Sequence, residues 1–396
     1  MPLLFLAIGG IDMNKLKVLN GIDNIEKYID LFKGKKLGLV TTPTGVNKNF
    51  ESTIDVLYKN FNLKYLYSPE HGIRGNLQAG ATVGTYIDEK TGLTVYSLYG
   101  ENKKPSKDMI EDIDAMVFDM QDIGSRYYTF IYTMAYCMEA CAENNKEFIV
   151  LDRINPLGGE VVEGNILKSE YSSFVGLYPI PVRYGLTSGE LALYINKEFN
   201  INCDLEVVKV QGWSREQYAD DTDLLWINPS PNMPSIESAL IYNGTCLFEG
   251  TNLSEGRGTT KPFEFIGAPF VDGEKLCKYM EDLKLPGVKF RPIYFVPTFS
   301  KNVGELCEGV QVHVTDKRQY RSVDVGIYML HYIANTYKDK FQWITSEDFN
   351  NRHFIDLLAG TDEIRTTDFN PKDLLEKWHK ESEEFKNKKK AYHIYK

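Results

Sequence analysis

The feature that most constrains this chain is a repeated pairing, within its first 156 residues, of a short apolar run with a polar, glycine-bearing segment directly behind it. The runs lie at 36–40, 63–67, 93–98, 115–118 and 148–151, and segments with apolar residues at three and four spacing separate several of them, at 52–60, 106–113 and 131–144. Strand-length runs alternating with helical periods predict a parallel α/β sheet. Behind the runs stand Thr41-Thr42-Pro43-Thr44-Gly45, Ser68-Pro69-Glu70-His71-Gly72, Tyr99-Gly100, Gln121-Asp122-Ile123-Gly124-Ser125-Arg126 and Asp152-Arg153-Ile154-Asn155-Pro156. In such a sheet the carboxyl ends of the strands form one edge, where ligands bind, so these distant polar residues are expected to converge on one rim.

That rim comes without a standard cofactor signature. No GxGxxG follows the first run and no GxxxxGK[ST] occurs, so dinucleotide and P-loop readings lose their support. Gly185-Leu186-Thr187-Ser188-Gly189 has its serine misplaced for a nucleophile elbow, and HExxH is absent. The six cysteines, at 137, 141, 203, 246, 277 and 307, show neither a CxxC pair nor the spacing of a zinc site, and read as reduced thiols. No cofactor and no metal are expected. A formal net charge of -10 argues against nucleic acid or an anionic membrane as the main partner, since either calls for clustered positive charge. The opening MPLLFLAIGGIDMNK lacks a basic leader and a cleavage site and is too short to span a bilayer, which favours a cytoplasmic protein.

The second half has a different texture. WINPSPNMPS, residues 226–235, packs three prolines into a stretch that predicts an irregular loop. It leads by a short helix to Cys246-Leu247-Phe248-Glu249 and to Gly250-Thr251-Asn252-Leu253-Ser254-Glu255-Gly256-Arg257-Gly258, a loop rich in glycine, carboxylates and hydroxyls. Beyond it, helices expected at 273–282 and 322–337 mix with a strand-like run at 310–314, reading as a smaller α+β domain. The boundaries expected are 14–265 for the first domain and 266–396 for the second. The lysine-rich stretch 383–390 reads as a solvated helix end.

SPEHGIRG, DMQDIGSRYYTF, VLDRINPLGG, PSPNMPS and FEGTNLSEGRGTTKPFEFIGAP, in that order, closely resemble the exo-β-N-acetylmuramidases of the NamZ type, from about residue 18 to near the C-terminus. The resemblance implies a Rossmann-like N-terminal domain, a smaller C-terminal domain and a site in the cleft between them. It further implies a glycoside hydrolase that removes terminal β-linked N-acetylmuramic acid from the non-reducing end of peptidoglycan fragments. The chain departs from the family at Thr42-Pro43-Thr44-Gly45, where members commonly carry Asn-Gln-Thr-Gly.

Glycoside hydrolysis generally needs one carboxylic acid to protonate the leaving oxygen and a second carboxylate as base or nucleophile, and Glu70, Asp122, Glu249 and Glu255 supply that inventory. Glu70, between Pro69 and His71 at a strand end, is the first choice for the acid, because partial desolvation there favours its protonated form. His71 orients Glu70 or binds a sugar hydroxyl, or is a structural imidazole. Arg74, Arg126 and Arg257 are candidates for the lactyl carboxylate of muramic acid, which a planar guanidinium can hold by two parallel hydrogen bonds; the alternative is ion pairing to carboxylates inside the cleft. Tyr128, beside Tyr127, is a candidate stacking wall, and Asn155 and Asn252 are candidate hydrogen-bonding groups. Two other functions fit such a cleft: a non-catalytic cell-wall saccharide-binding protein, or an esterase or deacetylase on the same sugars.

Overall fold

The computed structural model describes residues 15–69, 72–75, 84–100, 103–346 and 351–396. Its larger sheet has seven strands: β1 (Lys36–Thr41), β2 (Asn62–Ser68), β3 (Tyr86–Ile87), β4 (Thr94–Ser97), β5 (Ala115–Asp119), β6 (Glu147–Leu151) and β7 (Asp204–Val208), in the order β3-β4-β2-β1-β5-β6-β7. All neighbours are parallel except β3 and β4. β5 is buried along its whole length and β1 at every position after Lys36, as expected for strands covered on both faces. Alternate residues feed two cores. Met116 and Phe118 join Val40, Tyr67, Phe148 and Val150 on one face, while Ala115 and Val117 join Leu37, Leu39, Leu66 and Ile149 on the other.

Helices α1 (Thr53–Asn60), α2 (Phe130–Glu143) and α3 (Ser188–Glu198) pack against this sheet. Thr187 caps α3 through a reciprocal box with Glu190, which satisfies two of the orphan donors at the helix start. The second sheet is antiparallel and three-stranded, β8 (Phe265–Ala268), β9 (Val288–Phe295) and β10 (Cys307–Val314), in the order β8-β10-β9. Around it lie α4 (Ile236–Thr245), α5 (Gly273–Asp282) and α6 (Ser322–Thr336), followed by α7 (Pro371–Lys388). Glycines bring α4 and α6 into close approach: a Cβ on Gly326 would stand 2.4 Å from the Gly244 carbonyl oxygen. The molecule is thus α/β, a mostly parallel sheet with a smaller second sheet, and the core containing Phe118 and Phe148 continues without a break into Ile266, Val310 and Leu330.

The chain's end departs from a solvated tail. Lys389 is buried, and its ammonium donates to the carbonyls of Gly159 (2.5 Å) and Gly185 (2.6 Å). Beyond it, Tyr395 reaches the first sheet, where its hydroxyl donates to Asp152 Oδ2 (2.5 Å) and accepts from the Val210 amide (3.0 Å). Backbone carbonyls hold the lysine because the helix turns inward before its charged face ends. Among the described residues no helix is long and apolar enough to cross a membrane.

Candidate active site

The strand order reverses between β1 and β5, so the crevice of a doubly wound sheet opens at their carboxyl ends. Three buried contacts fix this edge. Arg153, behind β6, clamps Asp119 at the end of β5 through Nε–Oδ1 (2.5 Å) and Nη2–Oδ2 (2.9 Å), and its Nη2 also donates to the Val46 carbonyl behind β1 (2.9 Å). The Gln121 amide donates to Thr44 Oγ1 at 3.0 Å, tying the β5 loop to the β1 turn. The Asn155 side chain donates to the Leu186 carbonyl (2.9 Å) and accepts from the Leu157 amide (3.0 Å).

Asp122 follows directly. Its Oδ2 accepts from the Gly124 amide at 2.6 Å and from the Tyr184 hydroxyl in a very short contact. Its Oδ1 has no hydrogen-bond partner among the described residues. Burial pushes the Asp122 carboxyl up to about 6, against the Tyr184 hydroxyl and the Gly124 amide, which favour the ionised form. Asp122 therefore takes up or gives up a proton near neutral pH. Gly124 is required here: its φ is +75°, and a Cβ would stand 2.4 Å from Asn155 Oδ1.

The second stretch forms a compact charged cluster. Gly256 and Gly258 both take positive φ, +79° and +80°, and this double turn swings Arg257 back between two carboxylates. Its Nη2 meets Glu249 Oε1 at 2.8 Å and its Nε meets Glu255 Oε1 at 3.2 Å. Lys301 completes the set, with Nζ 2.7 Å from Glu255 Oε2 and donating to the carbonyls of Phe248 and Thr251. Two cations thus balance two carboxylates. Burial works against the Arg257 charge, but Glu249 and Glu255 outweigh it and raise its pKa. Glu255 is buried, whereas the Glu249 side chain retains 19% of its surface, so Glu249 is the more accessible carboxylate.

An aromatic bridge joins the cluster to the rim. The Tyr242 ring packs edge-on against Tyr127 (6.0 Å), Tyr128 (6.4 Å) and Phe263 (4.6 Å), and the Arg257 guanidinium lies 5.1 Å over Phe263. Two motifs more than a hundred residues apart are thereby brought together. Glu70 and His71 lie outside the described residues. Among the described residues around them, the Ser68 carbonyl at the end of β2 accepts from the Leu98 amide at 2.8 Å, and a Cβ on Gly75 would stand 2.9 Å from Pro43 in the β1 turn.

Other expected contributors are committed elsewhere. Arg126 is fully buried, and its Nη1 and Nη2 donate to four backbone carbonyls, those of Asn165, Ile180, Leu358 and Ala359. It braces the loop behind β5 against the chain following α6, a use of guanidinium donors that turns them away from a carboxylate ligand. Arg74 forms a bidentate pair with Asp88 (2.6 and 2.8 Å) beside β3. Asn155 holds its own loop, and Asn252 spans the Lys340 carbonyl and the Gln342 amide. Lys301 and Tyr184 are the partners that sequence reading misses. Each lies far along the chain from the carboxylate it serves and in no motif of its own.

Comparison with known proteins identifies the family and the fold. A family model described as exo-β-N-acetylmuramidase NamZ, N-terminal, matches residues 37–237, and its C-terminal counterpart matches residues 240–395. The chain is 50% identical over 387 residues to a peptidoglycan β-N-acetylmuramidase NamZ of Bacillus subtilis (strain 168), covering 96% of this chain and 92% of that protein. Two crystal structures of DUF1343 family proteins from Bacteroides fragilis NCTC 9343 share the fold. One has a TM-score of 0.88 at 41% identity and the other 0.76 at 30%, each covering 96% of this chain and 99% of its own.

Proposed function

The chain belongs to the exo-β-N-acetylmuramidase NamZ family, and on that footing we propose that the rim and the charged cluster together form its active site. The protein is a glycoside hydrolase of peptidoglycan, an exo-β-N-acetylmuramidase. The observation that supports the site assignment is the aromatic bridge from Tyr127 and Tyr128 through Tyr242 to Phe263 and Arg257, a buried packing path between the loop bearing the protonatable Asp122 and the Glu249–Arg257–Glu255–Lys301 cluster.

In this reading a terminal N-acetylmuramic acid occupies the rim beside the cluster. Glu70 acts as the general acid: its proton passes to the glycosidic oxygen as the C1–O bond breaks, and water supplies the hydroxyl that ends on C1. Glu249, the more exposed carboxylate, faces the anomeric carbon as base or nucleophile. Glu255, buried between two cations, orients Arg257. Arg257 binds the lactyl carboxylate, using donors beyond those engaged by Glu249 and Glu255. Asp122 supplies a second titrating carboxyl near the acetamido-bearing ring, with His71 and Tyr128 bounding the site. The domain division proposed is 14–265 and 266–396, with the cleft between the two parts.

Glu70→Gln tests the acid assignment. Turnover of a muramic-acid disaccharide is expected to fall by roughly 100-fold to 10,000-fold. An aryl muraminide, whose phenolate leaves without full protonation, should be much less affected. Equal loss on both substrates moves Glu70 to another role, and an unaffected enzyme refutes its catalytic assignment.

A further inference from the structure

The rim carries a cavity that the charged cluster leaves unexplained. It lies where the β1 turn meets the loops behind β5 and β6, and holds about 160 Å³ lined by Asn20, Thr44, Gln121 and Trp226, with Phe50 and Leu225 among its walls. Phe50 is 59% and Leu225 70% exposed, an unusual presentation of two large apolar side chains to solvent around one opening.

Phe50 is held there under strain. Its φ is +61°, a left-handed conformation that bulky residues rarely adopt. A turn centred on Asn47 enforces it: the Phe50 amide donates to the Asn47 carbonyl (2.9 Å), and Asn47 Oδ1 accepts from the amides of Asn49 (3.0 Å) and Glu51 (2.9 Å). Glycine would meet that backbone demand more easily, yet the position carries an outward-facing ring. Such strain collects at ligand sites.

The charges in the lining are already matched, Lys48 by Asp223 at 2.5 Å and Arg153 by Asp119, so the cavity favours an uncharged ligand with an apolar face. A cavity of about 150 Å³ holds one benzene-sized ring, so a sugar ring seated here turns its substituents toward the opening. The cavity also adjoins the proposed site. Thr44 lines it while the preceding Pro43 lies against Gly75, and Gln121 lines it immediately before Asp122.

We propose that this cavity is the subsite for the leaving saccharide, the sugar ring on the far side of the scissile bond, with its apolar face against Phe50. The inference rests on the hydrolase reading above and extends it to the part of the substrate that the lactyl-binding cluster does not touch.

Phe50→Gly separates this role from folding, because glycine accepts the positive φ and the lost ring is more than half exposed. kcat/KM is measured on β-N-acetylmuraminyl-N-acetylglucosamine and on an aryl β-N-acetylmuraminide, which lacks the second sugar. The disaccharide-to-aryl ratio is expected to fall about three- to tenfold in Phe50→Gly, the loss of one stacking contact, without a lower urea midpoint. Phe50→Tyr, which keeps the ring, should restore it. A ratio that stays constant in Phe50→Gly overturns the subsite even if both activities change together. Wild-type protein inactive on both substrates overturns the hydrolase reading itself, and the subsite with it.

Discussion

Replacing Asp122 by asparagine is expected to stabilise the fold at neutral pH, with a gain that shrinks on acidification. In the folded chain the carboxyl holds its proton up to about pH 6, whereas its ordinary value is 3.8. Below 3.8 both folded and unfolded chains are protonated, and the group contributes nothing. Between these values the folded chain binds one more proton, so stability falls as pH rises; above about 6 the loss is complete. The gap corresponds to about 3 kcal/mol at about 1.4 kcal/mol per tenfold change, of which about 1 kcal/mol is already present at pH 4.5. Asparagine keeps an oxygen to accept from Tyr184 and Gly124 but buries an amide group, which offsets about 1 kcal/mol at every pH. Urea unfolding of both proteins at pH 4.5, 6 and 7.5 should therefore show the variant gaining about 2 kcal/mol on the wild type across that range. Parallel stability curves would refute the reasoning, because they would mean that Asp122 titrates alike in the folded and unfolded chains.

Lys301→Met leaves Glu255 with Arg257 alone and is expected to cost about 3 kcal/mol in urea unfolding at pH 7.5, most of it recovered by Lys301→Arg; a loss below about 1 kcal/mol would mean that the second cation is dispensable. Gly124→Ala places a Cβ against Asn155 at a positive φ and is expected to cost about 2 kcal/mol and to lower kcat by displacing Asp122, measured by unfolding and by muraminide turnover. Unchanged kcat would separate the Asp122 loop from catalysis.

The central strands were legible because burial on both faces leaves near-continuous apolar runs, and 115–118 and 148–151 each fall within one strand. β7 was not, since its edge alternates charge with apolar residues, as Asp204-Leu205-Glu206-Val207 shows, and β3 spans only two residues. The Gly256-Arg257-Gly258 turn was legible as a loop, but its result was not: positive φ at both glycines is what turns Arg257 onto Glu249 and Glu255. Arg126 shows the converse. Its place behind an apolar run reads as part of the ligand rim, yet the loop is covered by the chain around Leu358 and Ala359, whose carbonyls take the guanidinium. Lys389 was misread for a similar reason, because backbone carbonyls leave no trace in side-chain patterns.

The measurement that bears most directly on the central claim is release from paired chromogenic substrates, an aryl β-N-acetylmuraminide and the matching β-N-acetylglucosaminide, which differ only in the lactyl group. The account predicts turnover of the muraminide with little or none of the glucosaminide, and a preference that narrows in Arg257→Ala. Equal release from both, or a preference for the glucosaminide, would contradict it.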